Sequence, residues 1–511
     1  MSPAEQLLQA VDRSRRWLLL AAAALALASF SPHWRITPDS AVFLGIARNL
    51  AAGRGFTFNG ETVTSVNAGF PYLLALVPSF ESDPIVGSHV LIMTIGLAAL
   101  VLVYLLITRH AGRPLAVLIT VLTAVNGTFL RHACEILADV PFFFCCTLAL
   151  LGYELTFPSR SRADDATSPA AQSGDPHRIL RLSLAAALVL IGLAGMASLR
   201  IVFLGPLAAI CVDLLWRLRR SRFKWALVAG AAAVLLAAVA IRLADPRMEN
   251  GFTLLSKERE LLHHLTNFSE TWTRIVSFNA PQLFFDVAPR AIFGNKLGLW
   301  PVDGAITLAV FAAGTMLFRR RIAWGMLVVI YVVQWLVIFP DSRYFLPVLP
   351  LLLLGWWDLS LLVVGRIRLS RQRAALAAML ALIAIPNAVR SVGFAIEQHH
   401  HPFLERYLRG RFQDLPELAA RARESLPPDA VVITDAQFAA PLHYFSGLRT
   451  IPTIGPTLLT PLPKDQPVFA LLPTDAGLDA ALKALKLKRA GEVITGPDRG
   501  PASTLKIIAV H

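Results

Sequence analysis

Cysteine is scarce in this chain. Its four cysteines, Cys134, Cys145, Cys146 and Cys211, lie in or beside apolar stretches, and none falls in the polar C-terminal part. No disulfide framework or zinc-ligand spacing can be read from them. Charge is scarce too: 16% of the 511 residues are charged against 55% hydrophobic, more apolar surface than one soluble core could hide. A soluble protein is excluded, and a polytopic membrane protein remains. The net charge of +14 falls in short basic clusters between apolar runs rather than on one face. Such clusters set membrane topology, so the partner expected is a membrane, not nucleic acid.

Apolar runs near the roughly 20 residues that cross a bilayer occur around 17–32, 85–107, 114–130, 139–157, 182–199, 201–216, 225–243, 302–318, 322–339, 344–364 and 374–392. They predict a mainly α fold, a polytopic membrane helix bundle of about 11 spans over residues 1–392. With a cytoplasmic N-terminus, the inside loops carry Arg13, Arg15 and Arg16, then Arg109 and Arg113, then Arg160 to Arg181, Arg217 to Lys224, Arg319 to Arg321 and Arg366 to Arg373. Every inside loop is then basic, and an odd number of spans puts the C-terminal part outside the cytoplasm. The expected location is the cell inner (plasma) membrane. The first run could instead be a secretory signal ending near Ala26-Leu27-Ala28. Glu5 and Asp12 are unusual in a signal's basic region, which favours a retained span.

Two outside loops are long, 33–84 and 244–301. In the first, Phe43, Ile46, Ala47 and Leu50 make one apolar helical face, which predicts an interfacial helix, and Gly69 to Leu76 reads as a second short element. The second loop carries Lys257 to Glu260, a His263-His264 pair and many aromatics, and is expected to be a lid. The inside loop 158–181, rich in Ser, Ala, Asp and Pro, reads as disordered. From 393 to 511 a small extracytoplasmic α/β domain is expected, with strands near 430–434, 467–472 and 505–510. Its helices are placed at 437–444 and around Leu478, Leu482 and Leu485, and no phosphate-binding glycine pattern accompanies them.

Three polar stretches at the outside ends of spans carry the candidate chemistry. His33-Trp34-Arg35-Ile36-Thr37-Pro38-Asp39-Ser40 follows the first span and holds an acid where hydrocarbon gives way to water. Thr37 or Asp39 there also has the form of a helix N-cap, with Pro38 in the first turn. Arg131 to Phe144 contains Glu135 and Asp139, four apart, which a continuous helix would put on one face. Asp139 could equally cap the fourth span. Phe339 to Pro350 contains Arg343, a rigid and permanently charged fork suited to a phosphate, or else an interfacial anchor or a partner of Asp341. Arg200 and Lys296 lie at the same level. Ionisable groups at membrane depth are costly, so each is a functional candidate.

An acid soon after the first span, an interfacial helix ending in ARNLAAGRGF, E-x-x-x-D-x-P-F after the third span and RYFLPVLP before a late one, in this order and sidedness, resemble the GT-C superfamily. That superfamily comprises polyprenyl-phosphate-sugar-dependent glycosyltransferases, among them the protein O-mannosyltransferases and the lipid A aminoarabinose transferases. The likeness covers about residues 1–392. It implies an inverting transfer of sugar from a polyprenyl-phosphate donor to a hydroxyl of a lipid, glycan or protein acceptor at the outer face. Asp39 would be the catalytic acid residue, with Glu135 and Asp139 at the site and Arg343, joined by Lys296 or Arg200, near the donor phosphate. Several relatives have paired acids in the first loop, where here Ser40 follows Asp39, which leaves a second acid or a metal as open alternatives. Glu135 and Asp139 could hold a divalent cation, since carboxylates suit hard metals. The rival classes are a transporter or flippase for a lipid-linked sugar, in which membrane acids are ion sites, and a non-catalytic relative that binds it.

Overall fold

Helices begin where the sequence supplies caps. Helix α1 (Pro3–Ala28) opens on a reciprocal pair, in which Ser2 Oγ accepts the Glu5 N–H and the Ser2 N–H returns to Glu5. Helix α2 (Pro38–Ala51) opens on the same device built from Thr37 and Ser40, with Pro38 pre-set for the first turn. The computed structural model describes residues 2–63, 66–77, 84–157, 176–219, 266–294, 296, 298–338, 340–400, 414–454, 457–458, 462, 466–472, 482–483, 487–495 and 506–510. The expected span at 225–243, residues 158–175 of the expected disordered loop and residues 244–265 of the expected lid, with its histidine pair, lie outside the described residues. So do Leu478 and Leu485 of the expected C-terminal helix.

The chain continues with α3 (Gly69–Ala75), α4 (Pro84–Ala111), α5 (Arg113–Ala124), α6 (Gly127–Ala133), α7 (Asp139–Thr156), α8 (Pro176–Leu199) and α9 (Leu204–Leu218). A helical run follows, α10 (Phe268–Arg274), α11 (Ala280–Gln282) and α12 (Ala288–Phe293), with π turns at Ile275–Asn279 and Leu283–Val287 between the pieces. Then come α13 (Trp300–Arg320), α14 (Ile322–Val337), α15 (Leu349–Val364) and α16 (Leu369–His400). Among the described residues, five helices are long and apolar enough to cross a membrane, on α4, α7, α8, α13 and α16. The protein is a membrane protein built mainly of helices. The run 114–130, expected as one span, is broken: α5 and α6 meet at 63°. Asn126 makes the break, its Oδ1 accepting the N–H groups of Thr128 and Phe129 while its Nδ2 donates to Ala291 O and Asn387 Oδ1. A side chain that caps a new helix and ties two other segments overrides the apolar pattern around it.

Helices α7 and α8 run antiparallel and pack unusually close, because glycine faces backbone. A Cβ on Gly152 would stand 2.8 Å from Ala185 O, and one on Gly192 would stand 2.7 Å from Cys145 O. Small residues let membrane helices approach this way and gain dispersion contacts along their length. One consequence is local to function: the end of α8 is brought beside the start of α7.

At the other end of α7 lies a buried charged knot. Arg321, counted from sequence as an inside-loop charge, has no exposed side-chain surface; its Nε is 2.8 Å from Glu154 and 3.2 Å from Asp213. His110 is 2.7 Å from Glu154, Arg217 is 3.0 Å from Asp213, and the Tyr153 hydroxyl donates to Asp213 at 2.5 Å. Two guanidinium groups thus balance two carboxylates across α7, α9 and the α13–α14 junction.

The C-terminal part holds α17 (Leu415–Ser425), α18 (Ala436–Ser446) and a sheet. Its strands are β3 (Val431–Asp435), β4 (Arg449–Ile454), β5 (Thr457–Leu458), β6 (Val468–Leu472), β7 (Arg489–Thr495) and β8 (Lys506–Val510), in the order β5-β4-β3-β6-β8-β7. The central strand β3 is parallel to β4 and β6, and the outer pairs are antiparallel. This part is joined to the first long loop through a hairpin, β1 (Thr57–Phe58) and β2 (Glu61–Thr62). Asn59 (φ 56°) and Gly60 (φ 79°) form its two-residue tip, both left-handed, as Asn-Gly favours. Asn59 Nδ2 donates to Thr450 O at 2.7 Å, and its Oδ1 accepts the Thr450 N–H at 2.8 Å.

His443 closes this joint. Its Nε2 accepts the Asn59 N–H at 3.0 Å, and its Nδ1 faces Leu448 O at 2.7 Å, so the ring is neutral with the proton on Nδ1. Burial pushes its pKa below the ordinary histidine value, the bond to Leu448 opposes that shift, and Arg48 reinforces it. A folded pKa below the unfolded one gives stability that is complete above the unfolded value and is lost as pH falls through the folded one. The Asn59 amide is therefore expected to exchange faster at about pH 5 than at about pH 7, after correction for intrinsic rates. His443→Gln should remove that pH dependence, and an unchanged profile in the variant would refute the assignment.

Candidate functional site

The cap of α2 is Thr37, which frees the acid beside it. With Thr37 and Ser40 satisfying the first turn, Asp39 is the second helical residue and takes no part in capping. Its Oδ2 accepts from Arg343 Nη1 at 3.0 Å, a contact across 304 positions of sequence. The Asp39 side chain remains 53% exposed, whereas that of Arg343 is 21% exposed. This carboxylate can be reached from outside while its partner is held in the wall.

Arg343 lies in a 3₁₀ turn, Ser342–Phe345, capped by Asp341 through the Arg343 N–H at 3.2 Å. The same aspartate stands 3.1 Å from Arg343 Nε. The guanidinium is thus shared between an acid fixed to its own turn and one that arrives on α2. Tyr344 has a cation near its ring twice, Arg343 at 5.2 Å and Arg200 at 5.1 Å from the centroid. Arg200 donates from Nη2 to Asp139 at 2.6 Å, a pair in which Asp139 is almost fully buried. The close packing of α7 on α8 sets up this pair, and Tyr344 connects it to Arg343.

Asp139 is not a cap. The N-cap of α7 is Ala138, with no side-chain bond, which leaves the Asp139 carboxylate for Arg200. Nor do Glu135 and Asp139 share one helix, because α6 ends at Ala133 and α7 begins at Asp139. Glu135 sits in the turn between them and is nearly fully buried. It accepts from Arg131 Nε at 2.8 Å, faces His132 Nδ1 at 2.7 Å and stands 3.3 Å from Arg35. Burial works to raise its carboxyl, but Arg131, His132 and Arg35 outweigh burial and hold it well below its ordinary value. Its connection to α2 is through Arg35, four residues before Asp39. Lys296 pairs at 2.9 Å with Asp286, which also takes Arg290 at 2.7 Å.

The structure therefore brings together Asp39 with Arg343 and Asp139 with Arg200, places Glu135 beside the base of the Asp39 segment, and sets Lys296 with Arg290 on Asp286. The donor set of Glu135 and Asp139 does not fit a shared divalent cation, since each carboxylate is already matched by guanidinium groups. Among the described residues no three His, Cys, Asp or Glu side chains gather as a metal set.

No protein-family model and no curated protein sequence matches the chain. Solved structures do. ArnT from Cupriavidus metallidurans bound to undecaprenyl phosphate superposes with a TM-score of 0.57 at 13% identity, over 96% of this chain and 97% of that one. The same protein in its apo state gives 0.54 at 12% identity over the same shares. The chain has the GT-C fold. At such identity the likeness concerns architecture, and the chemistry has to be argued from this chain's own residues. Trp34, Arg35 and Tyr344 touch the paired residues or their turns without standing out in the sequence: Trp34 bonds Ser40, Arg35 faces Glu135, and Tyr344 lies beside Arg200 and Arg343. Each lies within a stretch already singled out. An aromatic or a second cation inside a polar turn was the available signal.

Proposed function

We propose that this protein is an inverting glycosyltransferase that moves a sugar from a polyprenyl-phosphate donor to an acceptor hydroxyl at the outer face of the membrane. One observation carries the reading, the contact of an accessible carboxylate, Asp39, with a walled-in guanidinium, Arg343. The structure of ArnT with undecaprenyl phosphate supports the choice of lipid. Orientation, with the C-terminal part outside the cytoplasm, rests on the basic clusters of the sequence.

Without donor, Arg343 is shared between Asp39 and Asp341. An arriving phosphate offers better acceptor geometry to a guanidinium fork than one carboxylate oxygen does, and takes the place of the more exposed partner. Asp341 stays, held by its own turn. The exchange releases Asp39 when donor is bound, in position to accept the proton of an acceptor hydroxyl. The hydroxyl oxygen then bonds to the anomeric carbon from the face opposite the phosphate, and the carbon–oxygen bond to phosphate breaks with inversion. Arg343 takes up the charge developing on the leaving phosphate, which needs no strong general acid. Asp139 keeps Arg200 aimed at Tyr344 and so backs the Arg343 turn, and Glu135 anchors Arg35.

The test is transfer of radiolabelled sugar from polyprenyl-phosphate donor by the purified chain. Arg343→Ala is expected to weaken binding of undecaprenyl phosphate by about 10- to 150-fold, the loss of one charge-assisted hydrogen-bonding partner at about 1.5–3 kcal/mol. An unchanged affinity in titration would make Arg343 an interfacial anchor and end its role here.

A further inference from the structure

Trp34 links the C-terminal part to the first turn of α2. Trp34 lies between α1 and α2, buried to 4% exposure. On one side its indole N–H donates to Ser40 Oγ at 3.0 Å. That hydroxyl also accepts the Thr37 N–H at 3.0 Å and donates to Thr37 O at 2.8 Å, so its hydrogen-bonding capacity is used in full. On the other side the Trp34 ring is gripped by two aromatics of α18, Tyr444 at 4.9 Å and 70° and Phe445 at 5.3 Å. The grip is itself fixed to α2, because Arg48 lies 3.9 Å from the Tyr444 ring centroid and donates to Tyr444 O at 3.0 Å. The Asn59 tip on Thr450 and the Arg449–Glu61 pair at 3.1 Å hold the same face.

We propose that Trp34 is a positioning residue: clamped by Tyr444 and Phe445, it fixes the Thr37–Ser40 turn and thereby sets Asp39 within reach of Arg343. The C-terminal part then serves the reaction without touching substrate, as the outer jaw that holds the helix carrying the base. The indole N–H is the specific element. Aromatic volume alone would fill the space between α1, α2 and α18, whereas the N–H locks the hydroxyl that closes the turn next to Asp39. This rests on the reading of Asp39 as the base, but its first readout does not.

Trp34→Phe keeps an aromatic ring against Tyr444 and removes the N–H together with one ring of the indole. Hydrogen exchange on the full chain in detergent is expected to show the Ser40 and Ala41 amides, which are bonded to Thr37, exchanging about tenfold faster, the factor expected when one hydrogen bond of roughly 1.4 kcal/mol is lost. Protection of 431–435 and 349–364 should not change. Tyr444→Leu, which loosens the clamp from the far side, should move the same two amides. In the transfer assay Trp34→Phe should lower the rate at saturating donor by about tenfold or more, with undecaprenyl phosphate affinity within about twofold. Unchanged Ser40 and Ala41 exchange in Trp34→Phe would reduce Trp34 to packing and overturn the proposal. So would loss of undecaprenyl phosphate affinity in parallel with rate. An active Asp39→Asn variant would instead remove the base assignment while leaving the exchange result standing.

Discussion

Asp39→Asn is expected to fold and to bind undecaprenyl phosphate at least as well as the parent, while transfer falls by about 10²- to 10⁴-fold, the usual worth of a positioned base. The amide preserves the size of the side chain, and its oxygen can still accept from Arg343. What it cannot do is take a proton from a hydroxyl. Stability should hardly change, because the side chain is half exposed, and a pair so open to solvent contributes little. Donor binding should hold or tighten, since the phosphate no longer competes with a carboxylate for Arg343. Initial rates of labelled-sugar transfer, measured beside undecaprenyl phosphate titration, separate these effects. A variant that transfers at the parent rate would leave Asp39 as a mere partner of Arg343.

The second large effect is on the fold. Arg321→Met is expected to destabilise the bundle by about 3–5 kcal/mol, the cost of removing one member of a buried ion group and leaving the others uncompensated. Glu154 and Asp213 would lose their shared cation, and the cation near the Tyr153 ring would be gone. Methionine matches the stem in length, so the loss is one of charge more than of packing. Thermal unfolding in detergent measures the drop. Arg321→Met combined with Glu154→Gln should recover part of it by removing one stranded carboxylate. If the single variant melts with the parent, the knot contributes nothing and its charges are there for another reason.

The charges that meet at the site were visible in the sequence because there are so few of them. An acid or a cation at the end of an apolar run is conspicuous, and Asp39, Asp139, Arg200 and Arg343 each stand out that way. Which of them pair was not visible. Its place in the sequence puts Arg200 with Arg343 as a phosphate ligand, whereas its ion-pair partner is Asp139, and only the close register of α7 on α8 decides this. Hydropathy missed the break at Asn126, because it averages over residues and cannot see one side chain bonding two other segments. It also misread Arg321, since a basic residue in a short turn is by default a loop charge. In the C-terminal part, strands at β3, β6 and β8 follow continuous apolar runs. Pro452 within β4 and Gly491 within β7 obscured two others, as both residues usually argue against a strand.

Helix α7 carries a buried acid near each end, Asp139 tied to Arg200 and Glu154 tied to Arg321. The two lie fifteen residues apart, roughly 22 Å at 1.5 Å of rise each. A rod bolted top and bottom can neither slide nor tilt without tearing a desolvated ion pair. It is the fixed post of the bundle, against which less firmly fastened helices would have to move.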